Sequence, residues 1–482
     1  MRRVGWLPLV AMVSACGGDG GSGRGGQLAV VPAGTPAPTP TPTPVATGPT
    51  SPCTLRERQD WTASRLREWY LFPETLPAAL DPAPYATVND YVDALTATAR
   101  GQRRDRYFTY VTSIAEENAY YESGETAGLG ARLGLASDAI VVIEAFEGGP
   151  ALAAGIDRGT RIVGIGTTSS NVRTVSAILA AEGSDGLTQA LGPNTAGTAR
   201  VLRLADGSGT RDVTVAKTSF ELTPISSRYG ARVIQDGAKQ VGYVNLRTFI
   251  STADRQLRTA FAGFRAAGIT EVIVDFRYNG GGLVSTAELF TNLLGANRTP
   301  NDVQGYVAFR PDKASNDEIT RFAPQPESIA PTKIAFIGTP GTASASELVI
   351  NAMIPYLRSN AALIGGNTYG KPVGQIALDN DPCGERLRVV AFATQNADRQ
   401  GRYFDGLATV VGASCRAADD INFPLGDARE ASVAGALTFL RGGSCVPITA
   451  SASARGVSVA GTRDLLSPER PSTAQREVPG LF

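Results

Sequence analysis

The chain of 482 residues contains no histidine. Serine triads with an imidazole base, His-Cys nucleophile pairs and zinc sites that include histidine are therefore excluded. Cysteine is also rare, with five residues and no Cys-x-x-Cys motif. A zinc site built on thiolates is therefore a weaker interpretation of the cysteines than disulfides are. The 45 basic and 45 acidic residues balance, and nothing in the composition indicates nucleic acid as a partner. The function must come from a localised site.

Lysine is scarce as well. Only five of the 45 basic residues are lysines, so the chain uses arginine wherever a positive charge is enough. Lys371 nevertheless stands in a glycine-rich, weakly charged stretch. Because a desolvated lysine can lose its proton and an arginine cannot, Lys371 is a candidate general base. If the chain is a serine hydrolase, its base must be a lysine.

The N-terminus has the pattern of an exported lipoprotein. Two arginines precede an apolar stretch at residues 4–13, which is too short to span a bilayer as a helix, and Cys16 follows small residues. This stretch resembles a bacterial lipobox, which implies a signal peptide over residues 1–16 and a lipid anchor on Cys16; a plain signal peptide with an incidental cysteine is the alternative. Residues 17–52 are rich in glycine, proline and threonine and predict an extended linker. Gly17 after the cysteine favours anchoring to the outer membrane, on its periplasmic face.

Four cysteines follow the linker, namely Cys53, Cys383, Cys415 and Cys445. An even number in an exported chain indicates disulfides, and four cysteines allow three pairings. The sequence does not choose among them, although Cys383 and Cys415 are near neighbours inside one expected domain.

Composition and periodicity divide the rest of the chain. Residues 53–117 have aromatic and apolar residues at helical spacing and predict a small helical domain. Residues 118–220 consist of short β-like runs that resemble a PDZ domain of bacterial proteases. In such domains a glycine-rich loop, here Gly128, Leu129 and Gly130, presents N–H groups to the end of a bound peptide. Residues 448–482 are polar and weakly patterned, which predicts a disordered tail.

Residues 221–447 alternate between strand and helix patterns, which predicts an α/β region. Expected strands lie at 241–246, 271–276, 333–338, 361–365 and 387–394, and expected helices at 253–267, at 286–294 and after Ser344. Open α/β sheets place functional sites where strands end and helices begin. Both Ser344 and the run of three glycines at 280–282 fall at such junctions.

Ser344 is the candidate nucleophile, because a helix N-terminus offers unpaired N–H groups and the positive end of a dipole. An oxyanion hole could use the backbone N–H groups of Gly281, Gly282 and Ala345. Lys371 would serve as the base once burial lowers its pKa, and Gln375 would orient the amine. The alternatives are a tight turn at the glycines, a surface amide at Gln375, and an ordinary helix cap at Ser344 or Ser346.

Together these stretches resemble the carboxyl-terminal processing (tail-specific) serine peptidases. The matching motifs are residues 275–282, Ser344-Ala-Ser-Glu, and residues 368–371 with Gln375. The resemblance implies a multidomain fold, with a crotonase-like α/β core, a preceding β-rich PDZ domain and a small helical domain. It also implies a Ser-Lys dyad in which Ser344, rather than Ser346, is the nucleophile, with Lys371 as base and Gln375 assisting. Pro355 and Pro372 depart from the family pattern and indicate a divergent subgroup.

The expected function is therefore a periplasmic endopeptidase that cleaves protein substrates through an acyl-enzyme and needs no metal or organic cofactor. A non-catalytic PDZ adaptor lipoprotein and a Ser-Lys esterase are the rivals, although the chain has neither Ser-x-x-Lys nor Gly-x-Ser-x-Gly. A further hypothesis concerns residues 479–482, Pro-Gly-Leu-Phe. This apolar end could occupy a PDZ groove of the same or a neighbouring molecule; a frayed terminus is the alternative.

Overall fold

The structure is a computed structural model, and it describes residues 53–206, 209–449 and 464–482. The expected signal peptide, Cys16 and the linker at residues 17–52 lie outside the described residues. Across the described ranges, no helix combines the length and apolar character needed to cross a membrane.

The first described region contains four helices and one strand. These are α1 (Leu55–Trp69), α2 (Val88–Leu95), α3 (Ala97–Gly101), β1 (Tyr110–Ser113) and α4 (Ile114–Ser123). Helix α1 begins at a capping box, in which the Thr54 hydroxyl and the Glu57 carboxylate each accept the other residue's backbone N–H. The aromatic side chains Tyr70 and Tyr91 are buried against Leu387 and Val390 of the later chain. The expected helical domain at 53–117 therefore shares its core with the α/β region, because its short helices need a second layer to cover them.

A small sheet domain (residues 125–221) follows. Its elements are β2 (Glu125–Gly128), β3 (Ala131–Leu135), β4 (Ile140–Ala145), α5 (Pro150–Ala153), β5 (Arg161–Gly166), β6 (Arg173–Thr174), α6 (Val175–Leu191), β7 (Ala199–Asp206), β8 (Gly209–Ala216) and β9 (Thr218–Glu221). The strands form an antiparallel sheet in the order β3-β4-β5-β7-β8, and β2 pairs with β9. Helix α6 buries Val175, Ile178, Leu187 and Leu191 against this sheet's core cluster.

The α/β region supplies the remaining elements. They are β10 (Ala231–Asp236), β11 (Lys239–Asn245), α7 (Ala253–Ala266), β12 (Glu271–Asp275), α8 (Val284–Leu293), β13 (Val303–Phe309), β14 (Glu318–Arg321), β15 (Lys333–Gly338), α9 (Ala345–Leu357), β16 (Ala361–Gly365), β17 (Val373–Asn380), β18 (Glu385–Gln395), β19 (Ala413–Arg416), α10 (Ala431–Leu440) and α11 (Thr473–Glu477). Strands β11, β12, β15, β16 and β19 form a parallel sheet, with β10 antiparallel at its edge. A second, antiparallel sheet is built around β18, which pairs with β1, β13 and β17.

The C-terminal segment (residues 464–482) is packed, in contrast to the disordered tail that its polar composition predicts. It contains α11, and Leu466, Val478 and Leu481 are each at most 1% exposed. These apolar residues are few and widely spaced, so they do not stand out by composition. They find buried partners on strands that lie far away in sequence.

Two disulfides link the four described cysteines. Cys53 pairs with Cys383 across a Cα–Cα distance of 5.4 Å, and Cys415 pairs with Cys445 at 4.9 Å. The neighbours Cys383 and Cys415 are not joined, because Cys415 lies on β19 and faces the chain that follows α10.

Candidate active site

Ser344 lies at the turn between β15 and α9, directly before the first residue of the helix. Its backbone has φ 55° and ψ −116°, a left-handed conformation that is costly for a residue with a side chain. The residue as a whole is only partly buried. Backbone strain of this kind is retained where the surrounding structure holds it, and it is concentrated at functional sites. Here it places the serine hydroxyl at the N-terminus of a 13-residue helix.

The neighbouring serine has a different environment. Ser346 is fully buried, and its hydroxyl donates to the carbonyl oxygen of Asn279 at 3.1 Å. A hydroxyl that is buried and already bonded cannot meet a substrate. The geometry therefore favours Ser344 over Ser346 as the reactive residue.

The Glu347 carboxylate connects two segments: the turn that carries Ser344 (the serine turn) and β17 with the residues directly before it, which include Lys371 (the lysine strand). It accepts backbone N–H bonds from Ser344 at 3.1 Å and from Gly370 and Lys371, each at 2.7 Å. Burial raises the pKa of Glu347, while these donors and the Thr368 hydroxyl oppose the rise. One buried side chain thus fixes the two segments that carry the candidate nucleophile and the candidate base.

Lys371 precedes β17, where its amine lies beside an amide and an aromatic ring. The Lys371 Nζ donates to Gln375 Oε1 at 2.6 Å and lies 5.0 Å from the centre of the Phe108 ring. Gln375 in turn donates to the carbonyl oxygen of Phe108, which fixes the orientation of the amide. Burial lowers the pKa of Lys371, partly opposed by the Glu477 and Asp105 carboxylates. This is the direction that a general base requires.

The glycine turn after β12 lies against Ser344. Gly281 has φ +125°, and a Cβ there would be 2.7 Å from the Cβ of Ser344 and 3.1 Å from the Ala345 nitrogen. Only glycine permits this approach. A side chain at Gly282 would likewise meet the carbonyl oxygen of Phe249.

The backbone N–H groups at the turn are placed differently from the expected oxyanion hole. The Gly281 N–H donates to Asn279 Oδ1 at 3.0 Å, so it is already satisfied. Gly280, the first residue of the same turn, donates its N–H to the carbonyl oxygen of Glu477 at 2.8 Å. The Ala345 N–H has no protein acceptor in the described part of the chain, as is usual for the first turn of a helix. The N–H groups of Ala345 and Gly282 have no protein acceptor among the described residues and could bind a developing oxyanion, whereas the Gly280 N–H could do so only once the Glu477 carbonyl has moved away.

A cavity of about 360 Å³ opens beside these groups. Lys371, Gly280 and Tyr278 line it from the α/β region, and Gln475 and Glu477 line it from the C-terminal segment. No group of three or more residues that could hold a metal ion occurs within the described ranges.

The expected peptide-binding loop at Gly128, Leu129 and Gly130 joins β2 to β3. A Cβ at Gly128 would lie 2.6 Å from the carbonyl carbon of Phe482, so this loop abuts the last residue of the C-terminal segment. Leu129 is buried in the same apolar cluster as Phe482.

Two residues contribute to the site without belonging to the candidate catalytic residues of the motifs, namely Glu347 and Arg106. Glu347 stands three residues after Ser344, the spacing of a capping box, so its bond to the Ser344 N–H was open to prediction. Arg106 donates to the carbonyl oxygens of Tyr369 and Gly370 and lies 4.1 Å above the Tyr369 ring. It stands more than 260 residues before the lysine strand in the chain, and nothing local in the sequence indicates this contact.

Comparison with known proteins places this geometry in context. Residues 240–406 match the model of peptidase family S41. The chain is 27% identical over 284 residues to the chloroplastic carboxyl-terminal-processing peptidase 2 of Arabidopsis thaliana, covering 56% of this chain and 50% of that protein. It is 24% identical over 312 residues to the carboxy-terminal processing protease CtpA of Bacillus subtilis (strain 168), covering 64% of this chain and 61% of that protein. The chain thus spans less than two thirds of the length of these relatives.

Among solved structures, a protein assigned as an S41 protease from Bacteroides fragilis NCTC 9343 superimposes with a TM-score of 0.60. The match covers 79% of this chain and 97% of that chain at 20% sequence identity. At this identity the likeness concerns the fold alone.

Proposed function

We propose, from the premise that residues 240–406 belong to peptidase family S41, that this chain is a serine endopeptidase of the carboxyl-terminal processing type. Ser344 is the nucleophile, and Lys371 is the base that Gln375 orients. The observation that carries the proposal is the shared carboxylate of Glu347, which holds the serine turn and the lysine strand together. The lowered pKa of Lys371 supports it.

In the proposed reaction, the neutral Lys371 amine takes the proton from the Ser344 hydroxyl as the oxygen attacks a peptide carbonyl carbon. The N–H groups of Ala345 and Gly282, and that of Gly280 once the Glu477 carbonyl has moved away, stabilise the resulting oxyanion. The Lys371 ammonium then gives its proton to the leaving amine, which yields an acyl-enzyme. Lys371 next takes a proton from a water molecule that attacks the ester carbon. It then returns this proton to the Ser344 oxygen as the ester bond breaks, which releases the new carboxyl end and restores the neutral amine.

The Gln375 amide has a defined part in this scheme. Gln375 Oε1 accepts one N–H of the Lys371 amine. This bond limits the directions in which the other N–H and the lone pair of the amine can point. A turn of the Lys371 side chain from Gln375 toward Ser344 is the step that starts the reaction.

We further propose that the small sheet domain is a PDZ domain that receives the ends of protein substrates on the β3 edge beside the loop at Gly128. Cys16 is proposed to carry a lipid that anchors the chain at the periplasmic face of the outer membrane. Cys16→Ser should release the protein from bacterial membranes without loss of activity. A variant that stays in the membrane fraction would rule out this anchor.

Cleavage of an unfolded protein substrate by Ser344→Ala and Ser346→Ala variants tests the proposal. Ser344→Ala should lose about 10³-fold or more of kcat, because the nucleophile is gone. Ser346→Ala should keep measurable activity and lose about 1 kcal/mol of stability with its buried hydrogen bond. Absence of cleavage by the parent chain as well as by Ser344→Ala would favour the non-catalytic adaptor, and equal measurable cleavage by both would show that Ser344 is not the nucleophile. Cleavage of model esters but not of proteins would favour the esterase.

A further inference from the structure

The edge of β3 that faces away from β4 is occupied by the C-terminal segment. The Phe482 N–H donates to the carbonyl oxygen of Ala131 at 2.9 Å, and the Ala131 N–H donates back to Phe482 at 3.2 Å. The Leu133 N–H donates to the carbonyl oxygen of Gly480 at 2.8 Å. These bonds are those of an antiparallel strand added to a sheet edge, and Arg132 and Leu481 are a bridge pair.

The Phe482 side chain fills an apolar pocket of the small sheet domain. It is 3% exposed and belongs to the core cluster that includes Leu133 of β3 and Ile178 and Leu187 of α6. The β3 edge and this pocket, together the β3 groove, thus receive both a backbone and a large apolar side chain.

The same segment covers the candidate catalytic centre a few residues earlier. The carbonyl oxygen of Glu477 accepts the Gly280 N–H at 2.8 Å, so one candidate oxyanion donor is occupied. A Cβ at Gly280 would collide with the carbonyl oxygen of Arg476. The Tyr121 hydroxyl donates to Glu477 Oε1 at 2.8 Å, which holds the Glu477 side chain beside the cavity.

Arg132 joins the two contacts. Its buried guanidinium donates from Nη1 to the carbonyl oxygen of Tyr278, in the turn before Gly280, at 2.7 Å and to that of Pro479 at 2.9 Å. Arg132 lies on β3, so one side chain contacts both the segment bound in the β3 groove and the turn at the catalytic centre. Occupancy of the groove and coverage of the centre are therefore linked by residues 477–482.

We propose that the C-terminal segment is an internal, displaceable occupant of both the β3 groove and the catalytic centre. A polypeptide with a large apolar residue at its end binds by replacing it, and this replacement uncovers the Gly280 N–H. The proposal rests on the proposed function for its catalytic part. The binding part stands on the contacts of the β3 groove alone.

Peptide binding tests the groove without any need for catalysis. In the Ser344→Ala chain, a fluorescent peptide with the sequence of residues 473–482 is titrated and its anisotropy is measured. Two variants weaken the internal competitor: a chain that lacks residues 479–482 and a chain with Phe482→Asp. Each should bind this peptide about tenfold or more tightly than the chain with the intact C-terminal segment. Ser184→Asp adds the same charge at an exposed position of α6 and should leave binding unchanged.

A variant outside the C-terminal segment tests whether the tighter binding comes from the β3 groove and not from misfolding of the deleted chain. Gly128→Ala, combined with the deletion of residues 479–482, places a methyl group where the backbone of residue 482 would lie. It should lower binding of the added peptide about tenfold relative to the deletion alone. Equal binding by the intact, deleted and Gly128→Ala chains would overturn the groove assignment.

Cleavage of an unfolded protein completes the test. In the chain with Ser344 present, Phe482→Asp should raise kcat/KM for a substrate without an apolar end by about tenfold, while Ser184→Asp should not. If Ser344-dependent cleavage is the same in all three chains, the C-terminal segment is not an inhibitor and the proposal fails. If no chain cleaves in a Ser344-dependent way, the proposed function fails instead, while the binding result still decides the groove. Loss of residues after 477 from the parent chain but not from Ser344→Ala would contradict a reversible occupant.

Discussion

The candidate catalytic centre is held by bonds among the α/β region and the first helical region, whereas the β3 groove of the small sheet domain is filled by the far end of the chain. At the centre, Glu347 accepts three backbone N–H groups, and Gln375 and Phe108 fix the Lys371 amine. In the groove, the partners of Ala131 and Leu133 belong to the C-terminal segment, where a second polypeptide could replace them.

The groups proposed to carry out the reaction and the groups proposed to admit the substrate thus have different kinds of partners. Groups that must keep a fixed geometry for proton transfer are tied to neighbours in the rigid core. Groups that must receive a substrate are satisfied by bonds that another chain can make equally well. The protein can thus be catalytically assembled and covered at the same time.

The largest expected effect comes from the base. Lys371→Arg and Lys371→Ala should both lower kcat about 10²–10⁴-fold, because a guanidinium stays protonated and an alanine has no amine. Steady-state kinetics on an unfolded protein provides the measurement. Substantial activity in Lys371→Arg would eliminate the Ser-Lys mechanism, and would show that the centre is not built as described.

The next effect tests the close approach at the glycine turn. Gly281→Ala should lower kcat about 10²-fold, because the new methyl group would displace Ser344 and the residue has φ +125°. Gly263→Ala is the matched control, since Gly263 is exposed on α7 with no atom near its Cβ position. That change should leave kcat unaltered and slightly stabilise the helix. Equal effects of the two variants would mean that the approach to Ser344 is unimportant.

The two disulfides differ in the length of chain that they close. Cys53 and Cys383 are 330 residues apart, whereas Cys415 and Cys445 are 30 apart. Removing the first pair by Cys53→Ser with Cys383→Ser should cost about 2 kcal/mol more in free energy of unfolding than removing the second, from loop-closure entropy. Urea unfolding of both double variants measures this difference. The opposite ranking would show that the loss of native-state contacts around the second disulfide costs more free energy than the difference in loop-closure entropy.

The smallest effect concerns the charge that the C-terminal segment brings to the centre. Burial lowers the pKa of Lys371 and Glu477 raises it; Asp105 also raises it, whereas Arg476 and Arg388 lower it. Glu477→Gln keeps the shape and removes one raising charge, so the acidic limb of the pH–kcat profile should move to lower pH. Glu469→Gln, at an exposed position of the same segment, should leave the limb in place. A shift to higher pH in Glu477→Gln would contradict this assignment.

The sequence predicted the parts of the fold that follow from short-range pattern. Strands β15 and β16 begin and end at the expected residues, and α7 ends within one residue of its expected end, because apolar periodicity and glycine boundaries are local signals. Helix α6 was not predicted, since glycines at 183 and 186 interrupt its apolar pattern.

The sequence could not predict contacts between distant segments. The Gly281 N–H donates to Asn279 Oδ1 and is not left open to the cavity. This bond depends on the backbone geometry of the turn, which the residue types alone do not reveal. The role of Gly280 depends on Glu477, nearly 200 residues away. The apolar end at residues 481 and 482 was the one local sign that the polar tail could be anchored.

The central claim is that a neutral Lys371 activates Ser344, and labelling by a fluorophosphonate probe tests it most directly. The labelled residue and the labelling rate are measured by mass spectrometry across pH for the parent chain, Lys371→Arg and Phe482→Asp. We expect Ser344 alone to be labelled, at a rate that rises with pH through a pKa below the ordinary lysine value. We also expect no labelling of Lys371→Arg and faster labelling of Phe482→Asp. Labelling of Ser346, or equal rates in Lys371→Arg and the parent chain, would contradict it.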